Sequence, residues 1–243
     1  MTLIAGIILP KGILMVSDTR EMRDGIHIAN ELARKITLIT PGTIIGTAGT
    51  GFSVDTAISL RKNLSDKVPT TPTSIREAIL DEYKNKNKYV RARFPHLGPM
   101  AYILLGEYDD TTKTYTLLEN TGKGDSLFDE IKIYNQLKDT VVIGSSLQLR
   151  TAVKNKIKSL LNTRSPEQMN EDTFFMELSH VLKGLFKKYA DQEGVKDVND
   201  KLYCAYLTTT NNHPIVYTYF FDSNKEYYPI DREQDGEYIQ FTK

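Results

Sequence analysis

Cysteine occurs once in this chain, at Cys204, so no intramolecular disulfide framework can staple the fold. The thiol lies mid-strand between Tyr203 and Ala205 and reads as a buried packing residue. Neither a helix N-terminus nor a paired histidine supports a reactive role for it. No apolar run approaches the ~18 residues that a membrane span takes, so a membrane is not an expected partner. A surplus of charge is also missing: Lys+Arg 31 and Asp+Glu 31 cancel to a net +0. That balance argues against nucleic acid or an anionic surface as the main partner and does little to oppose self-association. The four histidines, His27, His96, His180 and His213, are scattered without ligand spacing, so no metal and no cofactor is expected. With one cysteine and no secretory signal, the expected compartment is a reducing cytoplasm.

What is present is a globular composition. The 243 residues are 40 % hydrophobic and 26 % charged, enough to bury one full core, and the chain is read as a single domain over 1–243. Leu3 to Leu9 and Ile13 to Val16 form two apolar runs around the turn Pro10-Lys11-Gly12, a hairpin of buried strands. Strands are expected at Lys35 to Ile39 and Thr43 to Thr47, with a turn at Arg23-Asp24-Gly25 before them. A helix carrying Val54, Ala57, Ile58 and Leu64 follows. A second helix over Ser74 to Phe94 opens on the capping-box pattern Ser74-x-x-Glu77. Its apolar face is Ile75, Ala78, Ile79 and Tyr83, with Lys84 to Lys88 as a solvated stretch.

Strands then recur at Met100 to Leu105, Thr114 to Leu118, Ile131 to Tyr134 and Thr140 to Ile143. Two more helices follow, one with the face Leu149, Val153, Ile157 and Leu160, the other with Phe174, Leu178, Val181, Leu182 and Leu185. Leu202 to Thr208 and Ile215 to Phe221 close the pattern, and the Tyr-rich tail adds at most one short strand. Helix pairs alternating with runs of antiparallel strands predict a layered α+β fold, with two helices over each outer face of a two-sheet sandwich.

Several residues carry possible chemistry. Thr2 becomes the first residue if Met1 is removed, and then bears a hydroxyl and a free α-amine together. Such an amine has an ordinary pKa of roughly 7.7–8.0 and can take a proton near neutrality. A threonine activated by its own amine is a known nucleophile–base arrangement. Asp18 and Lys35 stand at the ends of apolar strands. If they meet beside that amine, the lysine charge disfavours its protonation and the aspartate holds the lysine. Gly46-Thr47-Ala48-Gly49-Thr50-Gly51 sits between a strand and a helix. Its spacing fits neither a dinucleotide fingerprint nor a Walker loop, so it reads as a tight turn or as amides facing an oxyanion. Ser145 in Gly144-Ser145-Ser146 lacks a nucleophile elbow and reads, taken alone, as a helix N-cap.

In their order and spacing these features resemble the start of a proteasome β-type subunit of the N-terminal-nucleophile hydrolases. The matching residues are Thr2 opening a strand, Gly12 in a turn, Ser17-Asp18-Thr19-Arg20 closing a strand, Gly25 in a loop, Arg34-Lys35-Ile36, and Thr47-Ala48-Gly49 before a helix. The early position of Thr2, with no long pro-segment ahead of it, is most similar to bacterial proteasome-related proteins of the Anbu type. The resemblance implies a four-layer αββα sandwich. It makes Thr2 the nucleophile and general base, Asp18 and Lys35 its tuning pair, Gly49 an oxyanion donor, and Ser145 a serine near the amine. The family's late Asp-x-x-Ser-Gly motif falls on Asp197-Val198-Asn199-Asp200-Lys201, which keeps Asp197 but has Asp200 in place of the serine and no glycine. Substrate-pocket positions fall at Glu21, Ala33, Thr47 and Asp55, whose acids favour basic side chains.

The implied activity is that of a threonine peptidase acting on peptide or unfolded protein. The implied partners are further copies of the chain, in a ring or helical stack, and an ATP-dependent unfoldase. Two other readings stay open: an amidase of the same fold acting on a small molecule, and a non-catalytic proteasome-like scaffold subunit.

Overall fold

Side-chain alternation along the first strand already divides the molecule's interior. In β1 (Leu3–Leu9), Leu3, Ala5 and Ile7 enter one apolar cluster while Ile4 and Ile8 enter another. Only a strand buried on both faces reads as an unbroken apolar run with this split. The fold is a computed structural model that describes residues 2–23, 25–65, 71–192, 196–221 and 228–229.

The strands after β1 are β2 (Gly12–Asp18), β3 (Glu21–Arg23), β4 (His27–Asn30), β5 (Ile36–Thr40) and β6 (Thr43–Gly49). Helices α1 (Gly51–Ser65) and α2 (Pro72–Arg93) precede β7 (Ala101–Asp109), β8 (Thr114–Asn120), β9 (Ile131–Tyr134) and β10 (Thr140–Gly144). Helices α3 (Leu147–Asn162), α4 (Pro166–Met169) and α5 (Phe174–Ala190) lead to β11 (Leu202–Thr210), β12 (His213–Phe221) and the short β13 (Tyr228–Pro229). One antiparallel sheet has the order β10-β1-β2-β11-β12-β13, a second has β5-β6-β7-β8-β9, and β3-β4 is a separate hairpin. Among the described residues the protein is therefore a mixed α/β chain of antiparallel sheets with five α-helices.

Three apolar clusters fill it. One joins the larger sheet to α3, α4 and α5 through Leu149, Val153, Ile157, Met169, Leu178 and Leu182. A second lies between the sheets, with Ile4, Met15 and Ala205 from one and Ile36, Ile44 and Leu104 from the other. The third joins the five-stranded sheet to α1 and α2 through Ala57, Leu60, Ile75, Ile79 and Tyr83. The Tyr83 hydroxyl donates to the Ser53 carbonyl at 2.8 Å and ties the two helices together.

The helices depart from the expected detail in instructive ways. Thr71, not Ser74, caps α2: its hydroxyl accepts from the Ser74 N–H, and Pro72 takes the first helical position, where a missing N–H costs nothing. Asn87 is not solvated with its lysine neighbours but is buried, donating to the Gly124 carbonyl at 3.0 Å. In α3 the fourth buried residue is Leu161 rather than Leu160, continuing the four-residue spacing from Leu149. In α5, Val181 is 40 % exposed and Phe186 is buried in its stead. The hairpin β3-β4 was expected only as a turn; its residues are largely exposed and so carry no apolar alternation. Gly46 belongs to the strand β6 rather than to the turn. A Cβ there would stand 2.9 Å from Met15 Sδ, so its absence lets the sheets close. The tail beyond 229 lies outside the described residues, as do Met1 and Asp24.

Candidate active site

Strand register delivers the ends of four strands to one place. β1 begins at Leu3, so Thr2 stands at the open end of the larger sheet, 9 % exposed. Leu3 lies opposite Gly144 of β10, and Ile4 lies opposite Ser17 of β2. Asp18, the last residue of β2, is fully buried and accepts the Leu3 N–H at Oδ1, 2.8 Å away. Its carboxylate is therefore fastened to the peptide that follows Thr2.

The other carboxylate oxygen meets Lys35, whose Nζ lies 2.7 Å from Asp18 Oδ2. The same ammonium donates to the Arg20 carbonyl at 2.5 Å, and the Arg20 N–H donates to Asp18 Oδ2 at 3.1 Å. Burial pushes the Asp18 carboxyl up from its ordinary value, and the Lys35 charge and the Leu3 and Arg20 amides oppose that push. Two charges with so little water survive only because each finds a charge-assisted partner. Asp18 and Lys35 thus meet as a buried ion pair whose carboxylate is one peptide away from Thr2.

The strand–helix turn after β10 closes the opposite side. Gly144 has φ +82°, and a Cβ on it would lie 1.8 Å from the Thr2 carbonyl oxygen and 3.1 Å from Ala48 Cβ. β1, β10 and β6 therefore converge on Thr2. Ser145 follows with φ +36°, an uncommon conformation for a side-chain-bearing residue. The N-cap expected at Ser145 belongs instead to Ser146, whose extended backbone lets its Oγ accept the Leu149 N–H at 3.2 Å. Gly144→Ala is expected to displace the Thr2 peptide. It should cost about 1–3 kcal/mol of stability and on the order of 10²-fold in any chemistry at Thr2. Urea melts and the rate of Thr2 labelling by an electrophile measure both, and a wild-type labelling rate would remove Gly144 from the site.

Gly49 ends β6 opposite Ala101 and is exposed. Its φ is +150°, and a Cβ would stand 2.5 Å from the Met100 carbonyl oxygen. Thr50 secures the turn by giving both its N–H and its hydroxyl to that carbonyl, at 3.0 and 3.1 Å. The remaining expected pocket residues are less uniform. The Ala33 N–H donates to the Thr19 carbonyl at 2.8 Å and the Thr47 N–H to the Lys35 carbonyl at 2.9 Å, so each is tied to the backbone next to or at a residue of the ion pair. Glu21 heads β3 and Asp55 lies on α1, both solvent-exposed.

No protein-family model matches this chain, and no curated protein matches it in sequence.

The stretch around Asp197 comes to the same end of the molecule. Arg20 Nη1 donates to the carbonyls of Lys196 at 2.9 Å and Val198 at 3.3 Å, with half-buried Asp197 between them. Asn199, 2 % exposed, accepts the Thr19 N–H at 3.0 Å and donates to Glu31 Oε2 at 2.6 Å. Sequence reasoning missed Asn199 and Glu31. The available signal was Asn199 lying between the apolar Val198 and Leu202, where a polar residue must find partners.

Elsewhere the chemistry thins out. Cys204 is buried, and burial pushes its thiol far above the ordinary range, so it packs rather than reacts. A cleft of about 630 Å³ lined by Lys11, Tyr115, Asp172, Phe175 and Tyr206 opens at the other end of β1, a strand-length from Thr2. Among the described residues no helix is long and apolar enough to cross a membrane.

Proposed function

We propose that this protein is an N-terminal threonine hydrolase of peptide bonds, active once Met1 is removed. One observation carries the reading: the Leu3 N–H, the Asp18 carboxylate and the Lys35 ammonium form a buried relay whose first member is one peptide from Thr2. Thr2 Oγ attacks the substrate carbonyl while its proton passes to the neutral α-amine. The Gly49 N–H receives the developing oxyanion. Collapse breaks the C–N bond, the departing amine takes the proton from the α-ammonium, and an ester to Thr2 remains. Water then attacks the ester with the amine again as base, releasing the acid and restoring Thr2. A lysine charge nearby keeps that amine unprotonated at neutral pH, and the resemblance gives Ser145, in the turn after β10, the role of a serine near that amine.

The resemblance to proteasome β-type subunits supports this reading, as do the three apolar clusters, which fit a four-layer αββα sandwich of the N-terminal-nucleophile type. On the same basis the active form is a homo-oligomeric ring or helical stack in the cytoplasm, and an ATP-driven unfoldase is a fitting partner. The exposed acids Glu21 and Asp55 favour basic side chains next to the cleaved bond. The test exposes Thr2 by cleaving an N-terminal fusion and measures hydrolysis of fluorogenic peptides ending in basic, acidic and apolar residues. Peptide mapping after treatment with a threonine-directed electrophile locates the adduct. An adduct at Thr2 with faster cleavage after basic residues is expected; no adduct and no cleavage would sink the proposal.

A scaffold role is the second reading, favoured by Asp200-Lys201 standing where the resemblance calls for Ser-Gly. An intact mass equal to the full sequence in the native host would select it.

A further inference from the structure

Residues 19 and 20 lie between β2 and β3, outside any strand ladder, yet the Arg20 carbonyl accepts from the Lys35 ammonium alongside Asp18 Oδ2. Side chains from two distant loops do the fixing. Asn199 accepts the Thr19 N–H at Oδ1 and donates from Nδ2 to Thr19 Oγ1 at 3.1 Å and to Glu31 Oε2 at 2.6 Å. Glu31 Oε1 takes Arg20 Nε at 3.0 Å, and the Glu31 carbonyl takes the Thr19 hydroxyl at 2.8 Å. Arg20 Nη1 closes the ring onto the loop that carries Asn199. The amide of Asn199 thus spends its oxygen and both of its N–H groups inside one closed network, with Thr19 fully buried at its centre.

We infer that Asn199 and Glu31 form a clamp that positions the Arg20 carbonyl, and through it the Lys35 ammonium, relative to Thr2. Asn199 is a positioning residue for the reaction, an inference that rests on the threonine-hydrolase reading above. Asp18 is held by its strand and cannot wander. The Arg20 backbone sits past the strand end, with its N–H on Asp18 Oδ2 and its side chain and neighbour Thr19 in the clamp, so the direction in which Lys35 presents its charge depends in part on residues that touch neither Thr2 nor substrate. This also accounts for the departure at Asp197-Val198-Asn199-Asp200-Lys201: here an amide performs the fixing that ties this loop to the site.

The charged side chains carried by the elements that meet here are Asp18 and Lys35, Arg20, Glu31 and Arg34 of the adjoining loops, Glu21 and Arg23 of β3, and Asp197, Asp200 and Lys201 ahead of β11. β10 and β6 contribute Gly144-Ser145 and Thr47-Ala48-Gly49, which are uncharged. Lys35 is therefore the cation that the clamp aims, and loosening it weakens the charge that depresses the Thr2 amine.

The experiment compares wild type, Asn199→Ala, Asn199→Asp and the exchange Asn199→Asp with Glu31→Gln, all with Thr2 exposed. The Thr2 amine is titrated by pH-dependent acylation read by peptide mass spectrometry, without substrate, and peptide hydrolysis is followed against pH. Asn199→Ala is expected to raise the amine pKa by about one unit. It should move the acid limb of kcat/KM the same way and lower kcat on the order of 10-fold or more at neutral pH with little change in KM. Asn199→Asp sets two carboxylates together and should be at least as impaired. The exchange restores one amide against one carboxylate and should recover most of the rate. An amine pKa and pH profile unmoved in Asn199→Ala, or an exchange variant no better than Asn199→Asp, would overturn the clamp. A shifted amine pKa in a protein that hydrolyses no peptide would uphold the clamp and reject the peptidase reading.

Discussion

Thr2→Ala, prepared with residue 2 exposed, is expected to lose peptide hydrolysis by on the order of 10⁵-fold, the scale seen when a covalent nucleophile is removed from an acyl-transfer site. Thr2→Ser keeps the hydroxyl and the α-amine and should retain a measurable rate. The fold should tolerate both changes, because the anchoring bond to Asp18 comes from the Leu3 N–H and not from the residue 2 side chain. Urea melts of both variants within about 1 kcal/mol of wild type would separate a chemical loss from a structural one. Retaining Met1 should be as damaging as losing the hydroxyl, because the amine that accepts the proton is then a peptide nitrogen with no basicity. Undiminished hydrolysis in Thr2→Ala, or in protein shown by mass to keep Met1, would end the nucleophile assignment.

The parts of this site that were legible in the sequence are those carried by strands. Asp18 and Lys35 each adjoin an apolar run whose period of two sets the strand end within a residue, and antiparallel register then brings Asp18 beside Leu3. Gly49 and Gly144 were visible as breakers at strand–helix junctions, and both take positive φ. The clamp was not legible. Asn199 and Thr19 are 180 positions apart and joined by side-chain-to-backbone bonds, which impose no periodicity on either segment. The β3-β4 hairpin escaped for a related reason: its strands bury nothing, so neither face had to be apolar. Helix faces were read well to the turn and less well to the residue. Leu160 and Leu161 are both leucine, and only packing against the larger sheet's cluster chooses the second. Val181 satisfies an i+3 spacing from Leu178, yet the buried stripe runs through Leu182, Leu185 and Phe186.

Lys35→Met should have the largest effect on stability, and it tests the ion pair without reference to catalysis. Removing the ammonium leaves the Asp18 carboxylate fully buried with backbone amides as its remaining donors. Breaking a buried pair from one side costs roughly 3–5 kcal/mol, far more than the pair contributes as a whole, because the surviving charge is stranded. The cost depends on pH, and its sign follows from the direction of the Asp18 shift. Burial already raises this carboxyl above its ordinary value of 3.8, and loss of Lys35 removes the largest opposing influence. A carboxyl raised in the folded state favours folding fully below its unfolded pKa, and that contribution is lost as pH rises through the folded pKa. The variant's deficit against wild type should therefore be smallest below about pH 4 and grow through the mildly acidic range as Asp18 is forced to ionise. Replacing both partners, Asp18→Asn with Lys35→Met, removes the stranded charge and should recover much of the loss with little dependence on pH. Urea denaturation of the two variants and wild type across pH 4 to 8 measures this. A Lys35→Met deficit that stays under 1 kcal/mol and flat with pH would mean the pair is solvated in solution, and the electrostatic basis for tuning the Thr2 amine would go with it.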